Sequence, residues 1–324
     1  MINRLFFQSP MRKKRLTMGI LLFIAIFCIG CNPINGDSNI GTYIIASGKN
    51  PEAQKIVWSP TNADLVLLFS AGLPDSTAEI STYNIKTKKK TVIVKEQPAF
   101  LYDVVWDPDG NHILILSGPD MQGYQPHGWW LMNIEQGEKE YFCESGDVAF
   151  SPDGQIVAIL REISVGDDSA GVQLLFLDVK TREEILVYSN PDADYSRGIS
   201  WSPDGKSLVF SLGLKLSRDL YFWTAETNEV VKITKANRSD NPIWSPKGNI
   251  IAYLASGQSN VTETSLHLTV QNGSCDLIIP SIQYVKSVTW SPDGEKLAYI
   301  NRDGIYYLEI DKVLGKDVYQ DLCE

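Results

Sequence analysis

From residue 42 to residue 311 the chain alternates short apolar runs with polar turns rich in Gly, Pro, Asn and Asp. One stretch shows the plan. Arg197 to Trp201, Ser207 to Ser211, Asp219 to Trp223 and Val230 to Ile233 are β-rich runs, with a polar turn from Thr224 to Glu229 before the last. Runs this short and evenly spaced predict strands of an all-β fold. Upstream, Val172 to Asp178 and Ile185 to Tyr188 repeat the third and fourth runs, as do Trp129 to Ile134 and Lys139 to Cys143. Downstream, Ser287 to Trp290, Glu295 to Ile300 and Gly304 to Ile310 give three strands, but Leu314 to Glu324 is too polar for a good fourth. The orphan run Thr42 to Ala46 is the expected replacement. It would pair with the last unit and staple the two ends together.

A pentapeptide joins the first two strands of each unit. It is Trp201-Ser202-Pro203-Asp204-Gly205 in the fourth unit, with copies starting at Trp106, Phe150, Trp244 and Trp290. Trp58-Ser59-Pro60 begins a sixth and then departs into Thr61, Asn62, Ala63 and Asp64. The aromatics are spaced by 48, 44, 51, 43 and 46 residues. A period of roughly 40–50 residues of all-β units marks a propeller. Proline presets the first turn position, Asp suits the second, and Gly takes the left-handed conformation that closes the hairpin. Lys247 replaces Asp in the fifth copy, at a position that needs no positive φ. The aromatic anchors are expected to pack between sheets. The expected fold is all-β, a six-bladed β-propeller of four-stranded antiparallel blades over residues 42–324, closed by the N-terminal strand.

These W-S-P-D-G turns, each followed by an apolar strand, resemble the WD-like repeats of TolB-type β-propellers over residues 42–311. The resemblance is specific for fold and not for function. The family includes a periplasmic protein that binds partner proteins through its propeller, and the propellers of prolyl-oligopeptidase-type peptidases. This chain resembles the propeller alone. A peptidase would need a G-x-S-x-G elbow, and none occurs here.

Residues 1–30 have a different pattern. Arg12 to Arg15 is a basic run, and Leu16 to Gly30 is almost wholly apolar but short for a membrane span. This predicts a signal peptide. Gly30-Cys31 resembles the lipobox of bacterial lipoproteins, which implies lipidation at Cys31. Cys28 departs from that pattern, where the family usually has Leu. Residues 31–41, with Pro33, Gly36 and Ser38, read as a tether. The expected location is the cell envelope, either periplasmic or on a membrane through the lipid.

Export changes the charge. The whole chain carries −10, and residues 1–30 hold five basic residues and no acids, so the mature chain would carry −15. Such a surface repels phosphate backbones and excludes nucleic acid as a partner. Cys143, Cys275 and Cys323 are expected as isolated thiols, with Cys275 and Cys323 the alternative pair outside the cytosol. No mature C-x-x-C spacing, and so no zinc-ribbon or redox motif of that kind, remains.

Candidate chemistry is geometric. In a propeller the first strands line the channel, so residues three or four before each anchor gather near one mouth. These include Lys55, Asp103, Asp147, Arg197, Asp240 and Lys286. Convergent polar groups at a concave mouth are a default ligand site. The loop from Gly118 to Gly128 adds Tyr124 and, beyond it, Trp129 as apolar anchors. The acidic loop Ser164 to Gly171, with Asp167 and Asp168, is read as solvated rather than as a Ca²⁺ site. His112 and His267 fall in strands and His127 in a loop, with no shared context. Two functions follow. One is a monomeric, non-catalytic module binding an envelope protein or peptide, with no cofactor or metal. The other is a propeller enzyme of metal-dependent lyase or lactonase type, with Asp103 or Asp147 as metal ligand or general base. The absence of a histidine cluster favours the first. Replacing Cys31 by Ser (Cys31→Ser) is expected to release the protein from membranes with the propeller still folded. A variant that stays in the membrane fraction and keeps residues 16–30 marks an uncleaved anchor instead.

Overall fold

The computed structural model describes residues 41–46, 53–71, 77–96, 100–118, 126–165, 169–214, 217–234, 238–256 and 263–314. After β1 (Thr42–Ala46), six blades follow in chain order. Blade one is β2 (Lys55–Trp58), β3 (Leu65–Ser70), β4 (Ala78–Asn84) and β5 (Lys90–Glu96). Blade two is β6 (Leu101–Trp106), β7 (His112–Ser117), β8 (Gly128–Asn133) and β9 (Lys139–Glu144). Blade three is β10 (Asp147–Phe150), β11 (Ile156–Val165), β12 (Ser169–Asp178) and β13 (Glu184–Asn190). Blade four is β14 (Tyr195–Trp201), β15 (Ser207–Leu214), β16 (Ser217–Thr224) and β17 (Val230–Lys232). Blade five is β18 (Ser239–Trp244), β19 (Ile250–Ser256), β20 (Thr264–Val270) and β21 (Asp276–Gln283). Blade six is β22 (Ser287–Trp290), β23 (Lys296–Ile300) and β24 (Gly304–Glu309), followed by the short helix α1 (Ile310–Leu314). Each blade is an antiparallel four-stranded sheet, and the sixth is completed by β1, as the sequence predicts.

The core is a set of layers between blades. Leu67 and Phe69 pack with Leu101, Val104 and Trp106 of the next blade, while Val66 and Leu68 pack with Ala298, Ile300 and Ile305 of blade six. Second strands therefore bury both faces, which is why they read as continuous apolar runs rather than as an alternation. Fourth strands face solvent, leaving Val92, Ile185, Leu186, Val231 and Ile278 exposed at the rim.

The anchor aromatics join neighbouring blades through more than packing. The indole N–H groups of Trp106, Trp201 and Trp290 donate to the carbonyls of Val57, Ala149 and Ile243, each on the first strand of the preceding blade. Two further links run from backbone to hydroxyl: Trp244 N–H donates to Ser200 Oγ at 3.0 Å and Trp58 N–H to Thr289 Oγ1 at 3.1 Å. The turn glycines are left-handed, with φ of 70° at Gly205. The serine of the motif is the part that sequence reasoning left without a role. Ser202 Oγ donates to Asp204 at 2.6 Å and accepts the N–H of Ser207 at 2.9 Å. Ser151 does the same with Asp153 and Ile156. The serine hydroxyl, first of all, holds the carboxyls of Asp153 and Asp204 below the ordinary aspartate range.

Two expectations are corrected. Ser164 to Gly171 is not an open loop. β11 and β12 run to Val165 and Ser169, so the hairpin extends through most of it, and Asp167 and Asp168 lie outside the described residues. Cys275 is not an isolated thiol but is disulfide-bonded. Cys143 is free and buried, and burial pushes its thiol up to about 12. Cys31 and the segments 1–30 and 31–40 lie outside the described residues, as does Cys323. Among the described residues no helix is long and apolar enough to cross a membrane.

Closure depends on β1, where Thr42 pairs with Tyr307 and Ala46 with Gly304, while Ile44 is buried against blade six and blade one. Deleting residues 41–48 is expected to cost about 3 kcal/mol and to lower Tm by roughly 6 °C or more. An unchanged melting temperature would show that another segment closes the ring.

Candidate functional site at the channel mouth

First strands are innermost. β2 contacts β6 and β22, β10 contacts β14, and β18 contacts β14 and β22. Every blade repeats one up-and-down order, so these strands run the same way along the axis. Residues three and four before the anchors therefore share one end, as expected. The hairpins joining second and third strands lie at that end too, since Leu101 pairs with Ser117 at the start of the β7–β8 connection.

Each charge at the mouth is positioned by its strand. Lys55 Nζ reaches across from blade one to Asp103 Oδ1 of blade two at 2.6 Å. Asp147, on blade three, accepts the Ser196 hydroxyl at 2.9 Å and the Gly198 N–H at 3.0 Å, both from blade four. A register shift between Ser196 and Ile199 takes this part of β14 out of the ladder with β15 and frees the Gly198 N–H for that bond. Gly198 has φ of 87°, and a Cβ there would stand 2.8 Å from Asn241 Cα on blade five. Only glycine suits both the conformation and the close approach. Although part of Asp147 reaches the surface, its carboxylate is walled in by adjacent blades. Burial raises its pKa above the usual value, the two hydrogen bonds oppose that, and the Asp103 charge adds to it.

Asp240 is buried, with Arg218 Nη1 2.7 Å from its carboxylate. Its pKa is raised by burial, against the pull of Arg218 and Arg197. Arg197 and Lys286 are exposed. Tyr102 is also exposed and meets His127 edge-on, with ring centroids 5.7 Å apart. Ser287 Oγ, on blade six, accepts the Ile56 N–H of blade one at 3.2 Å. The structure thus brings Lys55 onto Asp103, and Asp147 and Asp240 onto blade four.

Trp129 is corrected. It is 1 % exposed, sits in the layer between blades two and three, and donates its indole N–H to Gly146 O at 2.8 Å. It is a packing residue, because in β8 it takes the buried side of the alternation. Tyr124 lies outside the described residues. Arg218 and Ser196 are contributors that the sequence reading missed. Arg218 is the second residue of a third strand, so the rule that places second-to-third hairpins at this end applies to it as well.

The histidines serve local structure. Asp107, Asp109 and His112 cluster at the pentapeptide turn of blade two, at the other end of the strands. There Asp109 Oδ2 is 2.6 Å from His112 Nδ1 while Oδ1 accepts the Asn111 and His112 N–H groups. His267 is buried in blade five, with Nε2 2.9 Å from Ser265 Oγ and Nδ1 2.9 Å from Asp276, which also accepts the Tyr253 hydroxyl. This arrangement has the order of a nucleophile, base and acid. The Ser265 hydroxyl, however, donates to the Ala255 carbonyl of the adjacent strand, so the set clamps β19, β20 and β21.

No family model matches the chain. An uncharacterized protein of Agrobacterium fabrum is 25% identical over 229 residues, covering 70% of this chain and 74% of its own. TolB from Acinetobacter baumannii superposes with a TM-score of 0.61 at 18% identity, covering 78% of this chain and 61% of that one. The chain thus spans less than two thirds of that TolB. A candidate TolB from Agrobacterium tumefaciens gives 0.59 at 16% identity, covering 79% of this chain and 89% of the other. An oligogalacturonate lyase in complex with manganese gives 0.50 at 12% identity, covering 78% and 86%. The chain has the six-bladed propeller fold that these TolB structures share.

Asp147 generates a test with a defined sign. Its folded-state pKa lies above the ordinary 3.8, so the folded state is favoured below that value and loses stability as pH rises through the shifted one. Asp147→Asn keeps an acceptor for Ser196 and Gly198 and removes the charge. It is expected to match wild type in stability at pH 3 and to exceed it at pH 7. Denaturant titration at the two pH values checks this, and a variant that is less stable at pH 7 contradicts it.

Proposed function

We propose that this protein is an exported, lipid-anchored, non-catalytic binding module of the cell envelope, which captures a protein or peptide partner at the channel mouth. One observation carries the reading: charged side chains from all six blades gather toward one end of the axis, with charges of both signs cross-linked between blades. Lys55, Asp103, Asp147, Arg197, Asp240 and Lys286 form a pre-built polar rim, and exposed Tyr102 adds an aromatic contact beside it. Pre-organisation of this kind lowers the cost of binding. Charges of both signs suit a partner segment of mixed polarity better than a uniformly anionic one. The basic and apolar N-terminal residues, followed by Gly30-Cys31, support export and anchoring. The disulfide at Cys275 fits an oxidising compartment. The likeness to TolB structures supports a protein as partner.

A second reading rests on the likeness to the manganese-bound lyase and on the raised pKa of Asp147, which suits a general base. The described histidines argue against it. His112 and His267 are engaged away from the mouth, and only His127 is near it, against Tyr102.

The test is a pull-down from native envelope with wild type and with Asp103→Ala combined with Asp147→Ala. The double variant is expected to fold and to lose most of its partner recovery, because a propeller's stability is spread over its blades. Equal recovery from both proteins would remove the mouth as the binding site. Turnover of a small substrate by wild type, lost in the variant, would favour the enzyme.

A further inference from the structure

The charges at the mouth are not equally available. Lys55 and Asp103 neutralise each other, Asp147 is occupied by Ser196 and Gly198, and Asp240 is buried on Arg218. Of those six charges this leaves Arg197 and Lys286, which are exposed and make no ion pair among the described residues. They stand four residues before Trp201 and Trp290, on blades four and six, and so flank blade five from its two sides. Arg197 is near enough to act on Asp240 electrostatically, yet Asp240 spends its short contact on Arg218. Of the other acids at this end, Glu162 accepts the Ser196 N–H at 3.2 Å, Asp194 acts on Tyr195, Glu263 accepts the Tyr284 hydroxyl at 3.3 Å, and Asp303 acts on Tyr299 and Tyr306. Arg197 is therefore the exposed cation that stands nearest buried Asp240 without an ion pair of its own.

We infer that Arg197 and Lys286 accept a carboxylate of the bound peptide over blade five. The inference rests on the peptide-binding reading and names the group that the partner must present. The acidic surface repels anions in general, so exposed cations on either side of blade five select where one can land. Arginine's planar fork matches a carboxylate through two parallel N–H bonds, and the lysine ammonium adds a mobile point charge. A singly charged group fits better than a phosphate dianion, because buried Asp240 stands beside Arg197 and penalises a second negative charge. In a peptide the carboxylate comes from the chain end or from an acidic side chain.

Three acetylated hexapeptides built from Ala, Lys and Tyr separate these sources: one with a free C-terminus, one amidated, and one amidated with a single internal Asp. Binding to the purified protein is followed by NMR titration. The free acid or the Asp peptide is expected to bind about ten-fold more tightly than the plain amide, a difference of about 1.4 kcal/mol. Preference for the free acid alone assigns a chain end, and preference for the Asp peptide assigns a side chain. Arg197→Ala is expected to erase the preference, and Arg197→Lys to restore part of it. Circular dichroism verifies that the variants are folded. Equal binding of all three peptides overturns the carboxylate assignment while leaving the mouth as the binding site. A preference that survives both Arg197→Ala and Lys286→Ala places the carboxylate elsewhere and overturns it as well. Failure of every peptide, together with equal partner recovery in the pull-down, overturns the binding reading itself.

Discussion

Each blade depends on the blades on either side of it. An isolated four-stranded sheet with apolar residues on both faces of its second strand cannot cover them alone. Leu67 and Phe69 need Trp106 and Ile113 from the next blade, and Val66 and Leu68 need Ala298 and Ile300 from the last. The indole N–H of an anchor tryptophan fixes the angle of this stacking by reaching the carbonyl one residue before the preceding anchor. At Trp106 and Trp290, which are buried, this bond satisfies the indole N–H inside the protein; the buried indole N–H of Trp244 has no hydrogen-bond partner among the described residues, and Trp244 is tied to blade four through its backbone N–H to Ser200 Oγ instead. Where the anchor lacks a donor, as at Phe150, the layer relies on packing with Phe142 and Val148. Where the turn departs from the motif, as after Trp58, the indole bonds to Ala63 in its own turn, and Thr289 Oγ1 makes the link between blades instead.

The same constraint creates the mouth. Stacking six blades sets their first strands innermost, so the early residues of neighbouring first strands meet where no sheet neighbour remains to satisfy them. The structure resolves this by pairing across blades. Lys55 turns to Asp103, and Asp147 draws on the Ser196 hydroxyl and the bulged Gly198 amide. The bulge in β14 and the one between Asp240 and Ile243 in β18 are part of this arrangement, since each bends its strand away from a regular ladder next to a mouth carboxylate.

The fold was legible because its determinants are local and repeated. Proline, a left-handed glycine and a following apolar strand each have a conformational meaning in five residues, and the period between them states the architecture. Closure was legible for a related reason: Thr42 to Ala46 has strand character and no partner within its own unit, and the last unit is short of one strand. What escaped was the role of atoms whose partners are distant or ambiguous. Ser202 reads as a turn former, and only the folded hairpin shows its hydroxyl bridging Asp204 and the Ser207 amide. Trp129 and Trp130 are adjacent aromatics in one strand, and sequence cannot say which faces the neighbouring blade. Arg218 lies 22 residues before Asp240 and on another blade, so no spacing rule joins them. The disulfide at Cys275 escaped because lipidation of Cys31 would leave three thiols, an odd number, which made isolated thiols the simpler reading.

These two kinds of information bear differently on function. Residues that repeat, such as the anchors and turn glycines, answer to blade stacking and would be present in any propeller of this pattern. Residues that break the repeat at the same register answer to something else. At the position four before the anchor the blades carry Gln54, Tyr102, Gly146, Arg197, Asp240 and Lys286. Stacking alone would accept one residue type six times, and the fold gains nothing from leaving Arg197 without an ion pair near buried Asp240. Charged groups on a rim cost little when exposed, so stability does not select against them, and it does not select for them either. The asymmetry of charge around an otherwise repetitive ring is therefore the property most directly tied to what the ring binds, and it is carried by side chains that the repeat leaves free to vary.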